Sequence, residues 1–152
     1  MESADDRAPQ AVYARVMTTE IAVLVWGCML GLVHILAAGR AKTRQYGVGW
    51  NMGARDEELP PPAPVVGRLV RAQANFFETF PIVVAAVLID AAANLFDRWT
   101  ALGAIIWLVA RLAYLPLYAF GVRIVRTLVW LASLVGIVML LWPALIGLLF
   151  GR

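Results

Sequence analysis

Four long apolar stretches alternate with polar ones along the chain, and their lengths predict the architecture. Ile21 to Gly39 carries no formal charge over 19 residues. As a helix rising about 1.5 Å per residue it covers about 28 Å, enough to cross the hydrocarbon core of a bilayer. The pattern turns polar from Arg40 to Pro64, with Arg40, Lys42 and Arg44, then Gly47, Gly49, Asn51 and Gly53, then Arg55-Asp56-Glu57-Glu58, then a proline cluster. Pro60, Pro61, Pro62 and Pro64 oppose helix and favour extended backbone at each preceding residue. This stretch is predicted to be a loop, either solvated or folded over the head of a site between helices. A second helix is predicted over 65–92, a third over 99–120 after a short turn marked by Asp90, Asn94, Asp97 and Arg98, and a fourth over 124–150 after a tight connection at Gly121 to Ile124. Pro81 removes a backbone donor within the second helix and Pro143 one within the fourth, so bends are expected at both.

Two of these helices carry polar rows. Arg68, Arg71, Asn75 and Glu78 follow one another at steps of three, four and three, and Arg111, Tyr114 and Tyr118 at steps of three and four. At 3.6 residues per turn each set forms one stripe. An Arg or Asp at mid-bilayer costs roughly 2.5 to 3.5 kcal/mol even on the lenient insertion scale, so such side chains normally face a bundle interior or a wet cavity.

Composition confirms the class. Hydrophobic residues make up 62% of 152 and charged residues 15%, far from the roughly 45 to 50% and 25% of soluble domains. The chain is expected to be all-α: an integral membrane four-helix bundle forming a single domain over 1–152. The first 20 residues are polar and lack the basic start and small-residue cleavage pattern of a secretory signal, so no removal is expected. A net charge of +3, with the basic residues grouped near the ends of apolar segments, makes nucleic acid an unexpected partner. Cys28 is the only cysteine. It allows neither an intrachain disulfide nor a multi-cysteine metal site and is expected to be a buried small hydrophobe. Gly27 and Gly31 would admit a closely packed neighbouring helix, and His34 is expected to be hydrogen-bonded within the bundle.

Basic residues also suggest an orientation. Arg40, Lys42, Arg44, Arg55, Arg68, Arg123 and Arg126 fall on one side of the predicted topology, and Arg7, Arg15, Arg98 and Arg152 on the other. The positive-inside bias then puts the long loop in the cytoplasm and both termini opposite. Arg68, Arg71, Asn75 and Glu78, Arg111, Tyr114 and Tyr118, and Arg126 and Thr127 converge towards the cytoplasmic side. Arginines bind carboxylates through paired donors, whereas a glutamate and an asparagine can hold an ammonium or an amide. A small anionic ligand bearing an amine fits that inventory. A cavity opening to lipid would let it meet a membrane-dissolved compound. The structural alternative is that Glu78 neutralises Arg111 or Arg71 inside the bundle, with the tyrosines satisfying leftover donors. Arg71 and Glu78 are two turns apart, about 10 Å of rise, so a partner on another helix is expected. Arg68 could instead reach the interface.

The run Arg71-Ala72-Gln73-Ala74-Asn75-Phe76-Phe77-Glu78-Thr79-Phe80-Pro81, with Arg55-Asp56 before it and Arg111-x-x-Tyr114-x-x-x-Tyr118 after it, resembles the MAPEG family, the membrane-associated proteins in eicosanoid and glutathione metabolism. The resemblance covers roughly Ile21 to Phe150 and looks closest to the bacterial branch. It implies a homotrimer in the bacterial inner membrane, with glutathione bound between subunits near the cytoplasmic face and a small lipophilic substrate reaching it from the surrounding lipid. Arg71, Asn75, Glu78 and Tyr118 match cofactor-contacting positions, Arg126 matches the arginine that stabilises the thiolate, and Thr127 stands where some members have serine. Arg68, Arg111 and Tyr114 join this cofactor-binding set as convergent polar residues. Gln73 and Ala74 stand where eukaryotic enzymes often carry histidine and arginine, and Tyr114 where some carry histidine. The resemblance implies a glutathione-dependent transferase or peroxidase acting on hydrophobic electrophiles or lipid hydroperoxides. The alternative it leaves is a non-enzymatic membrane protein that binds a lipid or a partner in the same groove.

Overall fold

Helix α1 (Thr19–Tyr46), the short α2 (Val48–Met52), and the long α3 (Pro64–Ala93), α4 (Arg98–Phe120) and α5 (Arg123–Phe150) follow one another in the computed structural model, which describes residues 17–151. Among the described residues there is no strand, and the four long helices are each long and apolar enough to cross a membrane. The expectation about the polar N-terminal stretch, and the basic residues at 7, 15 and 152, lie outside the described residues.

Local chemistry sets the ends of these helices. Thr18 caps α1 by accepting from the Ile21 N–H at 3.4 Å, and α3 opens on Pro64, where a missing N–H costs nothing. Asp97 and Thr100 form a reciprocal capping box at the start of α4: Asp97 Oδ1 accepts from the backbone N–H of Trp99 and Thr100, and Thr100 Oγ1 accepts from that of Asp97. Thr100 Oγ1 also reaches Glu20 Oε1 at 2.6 Å, tying the start of α1 to the start of α4. At the other end of the bundle Gly121, in the left-handed region at φ 76°, turns α4 directly into α5.

One sequence expectation changes at the first connection. Helix α1 does not stop at Gly39 but continues through Arg40, Lys42 and Arg44 to Tyr46, because long basic side chains can hold their heads in the polar interface and suit a helix C-terminus. The loop behind it is pinned to the end of α1, and its Leu59 and Pro62 line a cavity with Tyr46 of α1 and Val66 and Val70 of α3. Gln45 Nε2 donates to the Pro61 carbonyl, Tyr46 Oη donates to that of Pro60, and Gln45 Oε1 accepts from the Ala63 N–H. Residues 53–63 are exposed. Pro81 and Pro143 lie inside uninterrupted helices.

The core is aromatic and closely fitted. Phe76 and Phe80 of α3 stack at 5.1 Å, Phe80 and Trp107 of α4 at 5.8 Å, and Phe76 packs on His34 of α1 at 4.7 Å. Glycines make room for these rings, since a Cβ on Gly27 would lie 2.8 Å from the Phe80 ring and one on Gly31 3.3 Å from Phe76. His34 is therefore held by stacking, and among the described residues neither of its nitrogens has a hydrogen-bond partner. Cys28 is exposed. In a bilayer an outward position on α1 meets lipid tails, so a small apolar thiol gains nothing by being inside. The tightest approach joins α4 to α5: a Cβ on Gly136 would stand 2.6 Å from the Gly103 carbonyl oxygen and 2.8 Å from the Trp107 backbone nitrogen.

Because those neighbours are backbone atoms, Gly136→Ala should force α4 and α5 apart and cost about 1 to 3 kcal/mol, visible as a lower thermal midpoint in detergent. Gly39→Ala, with nothing within 4 Å of the added methyl, should leave the midpoint unchanged or raise it.

Candidate functional site

Arg111 is the centre of the polar interior. Carried by α4 and only 1% exposed, it donates from Nη1 to Asn75 Oδ1 and from Nη2 to Thr79 Oγ1, both at 2.8 Å. Asn75 and Thr79 lie four residues apart on α3 and so share one face. Its third partner is the Tyr114 ring, whose centroid is 5.5 Å from Cζ. Neutral acceptors and a π-face thus take the place of a carboxylate around a buried cation. Glu78, the expected counter-charge, is exposed and forms none of these bonds. It precedes Thr79 by one residue, about 100° around the helix, and so sits at the exposed edge of the stripe.

From Arg111 an aromatic ladder leads outward. Tyr114 meets Tyr118 edge to face at 5.3 Å, and Arg126 of α5 lies over the Tyr118 ring at 4.4 Å. Asn75, Tyr114, Tyr118, Arg126, Thr127 and Trp130 together line an open cavity of about 220 Å³. Arg126 is half-buried and stacked, without a carboxylate partner among the described residues. Thr127 Oγ1 donates back to the Arg123 carbonyl at 3.2 Å, which leaves its lone pairs for another donor.

The predicted residues therefore divide. Asn75, Tyr114, Tyr118, Arg126 and Thr127 share one cavity, with Arg111 directly behind it. Arg68 donates from Nε to the Ala119 carbonyl at 3.0 Å and closes the bundle end beside Gly121. Arg71 and Glu78 occupy the outward face of α3. Arg71 borders a separate cavity of about 390 Å³ with Lys42, Tyr46 and Trp50. Two contributors escaped the sequence pattern. Thr79 follows Asn75 by four residues and could have been added to the stripe by spacing alone. Trp130 reads as one more apolar residue in α5.

Cation, amide and hydroxyls around one hollow suit an anionic ligand of modest size. The profile of the MAPEG family matches residues 20–146 of the chain. Comparison with curated proteins returns no match.

Thr79→Val should remove one of the two bonds that fix Arg111 and lower stability by about 1 to 3 kcal/mol. Since Thr79 does not line the cavity, ligand affinity should stay within about threefold of the parent protein, about 0.7 kcal/mol. Thermal unfolding and binding isotherms on the same sample check both halves.

Proposed function

Because the chain belongs to the MAPEG family, and four of its helices are long and apolar enough to make it an integral membrane protein, we propose that it is a glutathione-dependent transferase or peroxidase. Its substrates in this reading are hydrophobic electrophiles or lipid hydroperoxides. The protein works as a homotrimer in a bacterial inner membrane, with the cavity towards the cytoplasm and both termini on the opposite side.

The observation that supports this most is the convergence of Asn75, Tyr114, Tyr118, Arg126 and Thr127 on one hollow. Its donor chemistry suits the carboxylates and the sulfur of a small acidic peptide thiol. Bound there, glutathione supplies a nucleophilic sulfur that bonds to an electrophilic carbon with loss of the leaving group or, with a second glutathione, reduces a hydroperoxide to alcohol and water as the disulfide forms. Arg126 provides the positive charge that lowers a nearby thiol's pKa, and the Tyr118 ring at 4.4 Å keeps the guanidinium in place. Thr127 offers a hydroxyl to the same end of the ligand. Tyr114 and Tyr118 shape the wall, Arg111 supports Asn75, and Arg68 keeps the neighbouring bundle end closed. Arg71 and Glu78 complete the site from the outward face of α3. An arginine and a glutamate exposed on a membrane helix are costly in lipid, and an adjoining subunit both shields them and brings them a ligand to hold.

Thiolate absorbance near the ultraviolet edge and turnover of a model electrophile test the proposal in purified, folded protein. Both should appear on adding glutathione. Absence of both would refute it, and lipid retained through purification and unmoved by millimolar glutathione would favour the non-enzymatic role. Arg126→Leu should abolish turnover while binding is largely kept, whereas lost binding would make Arg126 an anchor for the cofactor.

A further inference from the structure

A guanidinium has five N–H donors and no acceptor. The Asn75 atom 2.8 Å from Arg111 Nη1 is therefore the carbonyl oxygen, and the assignment follows from chemistry. The second bond, to Thr79 Oγ1, gives the guanidinium a further anchor on α3. With Oδ1 committed, only the Nδ2 hydrogens of Asn75 are left to project elsewhere. Among the described residues they have no acceptor, and Asn75 forms part of the cavity wall.

We infer that Arg111 is a positioning residue: it holds the Asn75 amide with its N–H groups towards the cavity, so that the Asn75 side of the cavity takes a carboxylate oxygen of the ligand and excludes an ammonium group. The inference rests on the reading of this cavity as the glutathione site. It also gives the bound peptide a direction. Asn75 and Arg126 both donate, so an ammonium at this depth would face positive charge and N–H dipoles. Glu78, on the outward face of the same helix, is the acceptor such a group requires. An asparagine, able in principle to serve either end of an amino acid, is converted into a dedicated donor by the arginine behind it.

The decisive quantity is the preference for glutathione over its diethyl ester, measured as a ratio of dissociation constants for the full-length protein in lipid nanodiscs. Wild type should prefer the free carboxylates by about tenfold or more, the value of a hydrogen bond to a charged group. Asn75→Asp keeps an acceptor for Arg111 but turns a carboxylate towards the cavity, and the preference should disappear. Arg111→Met frees the amide to rotate. It should reduce the preference while affinity for the diester stays within about threefold, whereas general damage would weaken both ligands alike. Should Arg111→Met fail to fold, Asn75→Asp carries the test alone. An unchanged preference in Asn75→Asp overturns the inference. If wild type binds neither form, the glutathione reading falls. The subsite is then judged by thermal stabilisation with benzoate against benzylamine. Stabilisation by benzoate that is lost in Asn75→Asp supports the inference, and stabilisation by benzylamine alone or by neither overturns it.

Discussion

The guanidinium of Arg111 lies within a membrane-spanning helix, where an unsatisfied positive charge costs several kcal/mol, and the surrounding structure is arranged to meet that cost. Two neutral oxygens on α3 accept its hydrogen bonds at 2.8 Å and a tyrosine ring covers it at 5.5 Å. The arrangement joins α4 to α3 at one depth and fixes the rotation of both helices about their axes. It also leaves α3 with its aromatic side chains turned towards the glycines of α1 and the indole of α4. One buried cation thereby sets the register of the polar stripe and of the Phe76, Phe80 and Trp107 stack.

The cavity is a product of the same constraint. Tyr114 is occupied by Arg111, Tyr118 leans on Tyr114, and Arg126 leans on Tyr118. A buried arginine on one helix is thus linked through two rings to a half-buried arginine on the next, and the hollow forms where the chain of contacts reaches the surface. The two cations have different tasks because their surroundings differ. Arg111 donates from both terminal nitrogens to α3, whereas Arg126 has a ring beneath it and is free to meet a ligand. Around this polar centre the bundle presents apolar side chains such as Trp26, Leu36 and Val109 outward, as a protein solvated by lipid requires.

Much of this was legible in residue order. Apolar stretches long enough to cross a bilayer located four helices, and i, i+3 and i+4 steps gathered Asn75, Tyr114 and Tyr118 on facing stripes. Less visible were features decided by contact between helices. Spacing places Asn75, Glu78 and Thr79 within one turn but does not say which faces Arg111. Formal charge favoured Glu78, while helix rotation selected Asn75 and Thr79. Likewise the basic residues after Gly39 marked the end of the membrane but not of α1, since a helix can pass the interface when its long side chains carry their charges into water. Cys28 and His34 show a related limit. Apolar periodicity in a membrane segment does not separate inward from outward positions, because lipid and core are equally greasy.

The central claim is that Arg111 builds the cavity from behind while Asn75 and Arg126 meet the ligand in front. The most direct test is an experimental structure of the assembled protein in a bilayer with glutathione added. The account predicts ligand density against Asn75, Tyr118 and Arg126, with Arg111 still bonded to Asn75 and Thr79 and touching no ligand atom. A ligand coordinated by Arg111 itself, or an undisplaced lipid chain filling the cavity, would contradict it.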